Sequence, residues 1–301
     1  MKIQKILILL IFVLAFVSSK AQSIDALRLK INEVLADKSA TVGLAIKGTK
    51  PQDTLSINGD KHLPMQSVFK YHLALVVLHQ VDQGKLSLDD KISIDEELVS
   101  LYAHLWSPLR KKYPNGAEVS IAEVLRYTVA LSDNLGCDML FNLVGGTKLV
   151  QAYFREKGIK DIAIVHPEIV MQANWECQYE NWTTAKASNQ ALQLFFENTN
   201  KLLSTDSHNF LLETLKGTKT GKNSIKGLLP PHTVVAHKTG HSGKNKNGLT
   251  GALNDIGIVF LPDGSYFYLS VLLSDSMEDT KTNQKIIADI AKLTWDYFKK
   301  K

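Results

Sequence analysis

Ser67 and Lys70 are the first residues in this 301-residue chain whose types and spacing could do chemistry. They stand at the head of an apolar run, Tyr71 to Leu78 (YHLALVVL), that predicts a buried helix over Val68 to Gln83, ended by Gly84. Positions three apart share a helix face, so the hydroxyl and the amine would be neighbours. A serine hydroxyl is a weak nucleophile until a nearby base takes its proton. A partly desolvated lysine among other cations can lose enough basicity to serve. The helix start also favours negative charge developing at Ser67. S-x-x-K alone occurs often by chance, and a surface Ser and Lys opening an ordinary helix is the plain alternative. Two further stretches count against it: Ser132-Asp133-Asn134 after a helix-like segment, and Lys238-Thr239-Gly240, behind His237, at the end of the β-like run Thr233 to Ala236.

The elements that would position these groups fall in a simple order. An amphipathic helix is predicted over Ile24 to Leu35, then strands Thr41 to Ile46 and Asp53 to Ile57 about a Lys50-Pro51-Gln52 turn, with Asn58-Gly59-Asp60 as a break. The middle is helical. Ser120, with Glu123 in capping-box position, opens a helix through Val129. Asn134 to Val144 and Lys148 to Glu156 follow about Gly145-Gly146, then Thr184 to Asn198 and Ser207 to Leu215. The end returns to strands, Thr233 to Lys238, Ala252 to Phe260 and Tyr266 to Ser274, the last two about the turn Pro262-Asp263-Gly264. A helix over Gln284 to Tyr297 closes the chain. Strands at both ends around a helical middle predict one sheet built from both termini, 22–60 and 218–301, with a helical domain, 61–217, inserted between its halves. The cleft between them is the expected pocket.

Residues 1–21 read as a cleavable secretory signal: Lys2 and Lys5, the apolar run Ile6 to Val17, and a small-x-small site ending at Ala21. The run is short for a membrane span, so an exported, periplasmic, soluble monomer without stable membrane association is expected. The net charge of +5 is modest and falls partly in the signal and the Lys299-Lys300-Lys301 tail. With no interleaved basic and aromatic cluster, nucleic acid is not an expected partner. The two cysteines, Cys137 and Cys177, are read as free thiols. His237 and His241 lack a third ligand pattern, so no metal and no cofactor are expected.

S-x-x-K, S-D-N and K-T-G in this order form the signature of class A β-lactamases and penicillin-binding proteins. Together with Trp106-Ser107-Pro108, Gln178-Tyr179-Glu180-Asn181-Trp182-Thr183 and Ile225-Lys226-Gly227-Leu228-Leu229-Pro230, they make the chain similar to class A serine β-lactamases, in particular the PER/VEB-like extended-spectrum branch. The resemblance spans essentially the whole mature chain. It implies the serine β-lactamase/penicillin-binding-protein-like α/β (α+β) fold, an antiparallel sheet flanked by helices plus an inserted all-helical domain.

The resemblance implies β-lactam substrates, penicillins and cephalosporins, and a role for each residue. Ser67 would form an acyl-enzyme with Lys70 as its proton-transfer partner, and backbone N–H groups of Ser67 and His241 would make the oxyanion hole. Ser132 would relay a proton to the lactam nitrogen. Asn134 would bind the substrate's acylamide, and Lys238 and Thr239 its carboxylate, with Ser242 and Thr250 as further donors because no arginine follows Arg155. Trp106 would wall the cleft entrance, a buried core position being its alternative, while Trp175 and Trp182 pack the loop. The His241 side chain would either narrow the cleft or point to solvent.

Deacylation needs a second base. Counting back from Asn181-Trp182 places it at Glu168, with Glu176 and Glu180 as rivals. The loop departs from the commonest family pattern. Gln172 stands where an asparagine usually helps hold the water, His166 and Asn181 where an Arg–Asp pair usually closes the loop, and Asp138 for a usual asparagine. A D-alanyl-D-alanine peptidase or penicillin-binding protein, or a non-hydrolysing β-lactam sensor domain, would share the trio without this base.

Overall fold

The computed structural model describes residues 23–300; the signal-like segment lies outside them. The N-terminal helix α1 (Ile24–Leu35) leads into strands β1 (Thr41–Lys47), β2 (Thr54–Ile57) and the short β3 (Leu63–Pro64). A 3₁₀ turn, Gln66–Val68, then opens α2 (Phe69–Asp82). Strand β4 (Lys91–Ile94), helices α3 (Glu96–Leu101) and α4 (Pro108–Lys112), strand β5 (Ala117–Ser120) and helices α5 (Ile121–Ala130), α6 (Asn134–Val144) and α7 (Thr147–Glu156) follow. A loop region carries β6 (Ile162–Ala163), α8 (Glu168–Ala173), α9 (Cys177–Glu180) and β7 (Trp182–Thr183). Then come α10 (Ala185–Phe196), α11 (Thr205–Lys216), the strands β8 (Val235–His241), β9 (Thr250–Phe260) and β10 (Tyr266–Ser276), and α12 (Thr280–Lys299).

The main sheet runs β2-β1-β10-β9-β8, and every neighbouring pair is antiparallel. Its two central strands are almost continuously buried, because both faces are covered and the period of two alternates between two cores. On one face Leu44, Leu253, Val259 and Val271 pack with Leu27 and Ile31 of α1 and Ile286, Ile287 and Ile290 of α12. On the other, Ala45, Ile256, Ile258 and Leu272 join the apolar cluster built around α2. Strands from both ends of the chain thus share one antiparallel sheet.

Helix α2 explains its own sequence. Phe69 through Leu78 are all buried, so the helix is apolar all round, and it is the post around which α5, α6, α7 and α11 gather. Several ends differ from expectation. Ser67 sits in the 3₁₀ turn ahead of α2, with Gln66 at a left-handed φ of 44°. Strand β8 begins two residues later than expected and runs through Lys238-Thr239-Gly240 to His241, because the β9 ladder pairs His237 with Gly257 and His241 with Leu253. Helix α12 begins at Thr280, where Asp279 caps it by accepting from Thr282 N. The short pairs β4–β5 and β3–β7–β6 were not anticipated; two- to four-residue strands carry too little periodicity to read.

Candidate active site

Ser67 Oγ accepts a hydrogen bond from Lys70 Nζ at 2.9 Å and donates to Glu168 Oε1 at 3.2 Å. Lys70 Nζ also lies 2.8 Å from Glu168 Oε1, and both charged side chains are fully buried. Two more oxygens take its ammonium protons, Asn134 Oδ1 at 2.6 Å and the Ser132 carbonyl at 3.0 Å. Of the rivals for the second acid, Glu180 faces His166 and Glu176 is exposed. A buried ion pair of this kind survives only because each partner is also hydrogen-bonded.

The Ser132-Asp133-Asn134 corner is held by the Trp106-Ser107-Pro108 stretch. Asp133 caps α6 by accepting from Gly136 N at 2.8 Å, and accepts as well from Leu109 N and the Ser107 hydroxyl. Burial pushes the Asp133 carboxyl up, against the pull of these bonds. Asn134 N donates to the Trp106 carbonyl. Ser132 itself is left-handed, φ 59°, a conformation a non-glycine residue adopts only when its surroundings impose it. Trp106 is 54 % exposed and lines the cleft, so the buried-core alternative does not hold. Its Nε1 donates to the Leu131 carbonyl, and Lys111 lies over the ring.

The opposite wall is the edge of β8. Gly240 has no room for a side chain: a Cβ there would lie 2.5 Å from Met65 O and 3.3 Å from Ser67 N. This contact brings the strand against the Ser67 backbone. Lys238 is buried, and its Nζ donates to Ser132 Oγ at 3.0 Å and to Thr239 O. Burial first, and the Lys70 charge second, pull Lys238 down to about 7. His237 turns away from the cleft and pairs with Asp255 in the interior, Nδ1 to Oδ1 at 2.9 Å.

Ser67, Ser132, Asn134, Thr239, His241, Ser242, Trp106 and Gln172 all line one cleft of about 400 Å³. Lys70, Glu168 and Lys238 lie at its buried base. His241 is exposed at the rim. Ser242 spends its hydroxyl on the β9 backbone, accepting from Ala252 N. Thr250 is fully buried and outside the cleft, so it is not the additional carboxylate donor the sequence reading considered; β9 turns its side chain inward.

Among the cleft residues that escaped the sequence reading are Thr220 and Gly221. Thr220 Oγ1 meets Thr239 Oγ1 at 2.7 Å, and Gly221 lies so close that a Cβ would come within 2.5 Å of Thr239 Cγ2. The available signal was a second Lys-Thr-Gly, at 219–221, whose Gly221 adopts φ 68°.

The loop before Asn181 closes without an Arg–Asp pair. Asn181 Oδ1 accepts from Val165 N at 2.7 Å and His166 N at 2.9 Å, while Nδ2 donates to His166 O at 2.8 Å. Asp138 holds the start of α8, its oxygens accepting from Glu168 N at 2.7 Å, Ile169 N at 2.8 Å and Tyr102 OH at 2.6 Å. Burial, reinforced by Glu168, pushes Asp138 up to about 6. Gln172 Nε2 donates to Glu168 Oε2 at 3.2 Å. Gln178 packs onto Gly251 of β9 and accepts from Gln66 Nε2. Trp182 stacks on His62.

A buried Ser–Lys–Glu constellation in a cleft beside the sheet edge, within an α+β fold, defines a serine β-lactamase. Residues 26–298 match the model of the beta-lactamase enzyme family, and the chain belongs to that family, in its class A. It is 45 % identical over 300 residues to the beta-lactamase VEB-1 of Pseudomonas aeruginosa, covering 99 % of each chain. It is 42 % identical to the extended-spectrum beta-lactamase PER-1 of the same organism, covering 94 % of this chain and 90 % of that one. A crystal structure of a beta-lactamase from Chitinophaga pinensis superposes with a TM-score of 0.86 at 46 % identity, over 90 % of this chain and 98 % of the other.

Proposed function

We propose that this protein hydrolyses the β-lactam amide of penicillins and cephalosporins through a Ser67 acyl-enzyme that Glu168 clears. The observation that carries the reading is the contact of Ser67 Oγ with both Lys70 Nζ (2.9 Å) and Glu168 Oε1 (3.2 Å) at the sealed base of the cleft. In acylation the Ser67 proton passes into the Lys70–Glu168 pair as Oγ bonds to the lactam carbonyl carbon. Backbone N–H groups of Ser67 and His241 stabilise the oxyanion. As the C–N bond breaks, Ser132 gives its proton to the lactam nitrogen and is reprotonated in turn from the Lys70–Glu168 pair, which restores the pair, its oxygen remaining an acceptor for Lys238. Lys238 and Thr239 hold the substrate carboxylate, Asn134 the acylamide, and Trp106 the side chain at the entrance. In deacylation Glu168, steadied by Gln172, takes a proton from water as the water attacks the ester carbonyl, and that proton passes to Ser67 Oγ as the ester C–O bond breaks. No metal or cofactor enters these steps.

The likeness to PER-1, whose name describes it as extended-spectrum, together with a loop closed by Asn181 and Asp138, supports activity on bulky oxyimino-cephalosporins. The charged start and apolar run of residues 1–21 support export to the periplasm after cleavage near Ala21; no helix among the described residues is long and apolar enough to cross a membrane.

The test is turnover of a chromogenic cephalosporin with intact mass recorded on the same sample. Many turnovers without a lasting adduct are expected. Ser67→Ala should form no adduct. Glu168→Ala should acylate and then stall, deacylation falling by about 10²–10⁴-fold, the usual worth of a general base. A single burst with a stable adduct on the unaltered protein would instead mean a penicillin-binding protein or sensor, and rapid turnover by Glu168→Ala would remove Glu168 from its role.

A further inference from the structure

His166, Cys177 and Glu180 take no part in the steps above, yet their ligand atoms all lie within 4.8 Å of one another. His166 Nε2 is 3.1 Å from Glu180 Oε2. That nitrogen is enclosed and makes no well-formed hydrogen bond. Cys177 and Glu180 lie one turn apart on α9, so both present to the same side, while His166 comes from the opposite limb of the loop. We propose that these three side chains form a site for a thiophilic divalent ion of the Zn²⁺ type, which staples the two limbs of the loop carrying Glu168.

The donor set selects the ion. Imidazole, thiolate and carboxylate are the ligands of zinc, at about 2.0–2.3 Å, and such bond lengths set ligand–ligand edges of about 3.3–3.6 Å in a tetrahedron. The His166–Glu180 edge is already at that scale. Closing the others asks for a modest shift, and Glu180, whose side chain is 59 % exposed, is free to make it. A sulfur and a nitrogen among three ligands disfavour magnesium and calcium. The Cys177 thiol loses its proton to solvent on binding, so two anionic ligands balance the ion's charge, and the fourth position falls to water. The staple would act where Asn181 already acts, since Asn181 accepts from the backbone of His166 itself. The sequence reading expects no metal because it weighs only His237 and His241; the fold of the loop brings His166 beside Cys177 and Glu180 instead.

The experiment titrates the purified, chelator-treated mature protein with Cd²⁺, whose bond to a thiolate has an ultraviolet charge-transfer band, and then displaces it with Zn²⁺. One equivalent is expected to saturate the band. The band should vanish in Cys177→Ser and persist in Cys137→Ser. His166→Ala and Glu180→Ala should each weaken Cd²⁺ binding by at least about tenfold. Zn²⁺ should also slow modification of Cys177 by a thiol reagent in the unaltered protein, a readout that needs no variant to fold and no turnover. Absence of the band, its persistence in Cys177→Ser, or indifference to His166→Ala or Glu180→Ala would overturn the three-ligand site, indifference to both showing capture by the thiol alone.

Discussion

Lys238 shows how one residue's surroundings set a property that its type does not. It is buried beside Lys70, and those two causes bring it from 10.5 to about 7. The charged form is therefore present in the free enzyme below about 7 and lost above it. In the proposed mechanism a charged Lys238 attracts the substrate carboxylate, so kcat/KM should have an alkaline limb near that pH, since this parameter reports the free enzyme. Lys238→Arg keeps the charge at every accessible pH. Its plateau should drop, because the guanidinium is larger, while its alkaline limb moves to higher pH. An unmoved limb would assign the titration to another group. Stability runs the other way. The unfolded chain holds the Lys238 proton up to 10.5 and the fold releases it near 7, so this residue's contribution to stability rises with pH across that window.

At the scale of the element, two short contacts decide whether the cleft works. The first is the edge of β8 against the turn that carries Ser67. Gly240→Ala would place a methyl group 2.5 Å from Met65 O, so strand and turn must part by a few tenths of an ångström or more. Displacements near 1 Å at a reacting centre cost about 100-fold. Gly240→Ala should thus lose kcat/KM on that order while circular dichroism stays unchanged; near-normal activity would show that the strand yields without disturbing Ser67. The second contact is α8 on α6. Asp138→Asn cannot accept at both oxygens, so one of the bonds from Glu168 N and Ile169 N is lost. The expected cost is about 1–3 kcal/mol for a buried donor left unpaired, read as a lower denaturation midpoint, together with slowed deacylation.

These contacts also mark how far the sequence could be read. Helices α1, α5 and α6 carry their periodicity and caps in plain view, Ser120 with Glu123 and Asp133 with Gly136 among them. Lys70 was readable because its partner is three residues away. Glu168, by contrast, came from the family's loop pattern. The bonds of Asp138 to α8 span 30 and 31 residues, and no local rule predicts a pairing at that distance. Thr220 was missed for a related reason: its Lys-Thr-Gly copies the motif, but only the sheet edge brings it against Thr239.

For the molecule as a whole, stability rests on its two apolar clusters, which clothe both faces of the sheet. Cys137 and Cys177 are both free and buried, and burial holds the Cys137 thiol well above its ordinary pKa, where it is a poor nucleophile. A chain of this length buries enough surface to fold without a bridge, whereas small secreted domains depend on one. Removing a native disulfide typically costs about 2–5 kcal/mol, which for a domain of this size lowers Tm by several degrees, at about 2–4 °C per kcal/mol. Metal-free protein melted with and without a strong reductant should therefore give the same Tm. A fall of several degrees on reduction would mean that α6 and α9 are tied together in solution, and the loop carrying Glu168 would then owe its placement to a covalent link as well as to Asn181 and Asp138.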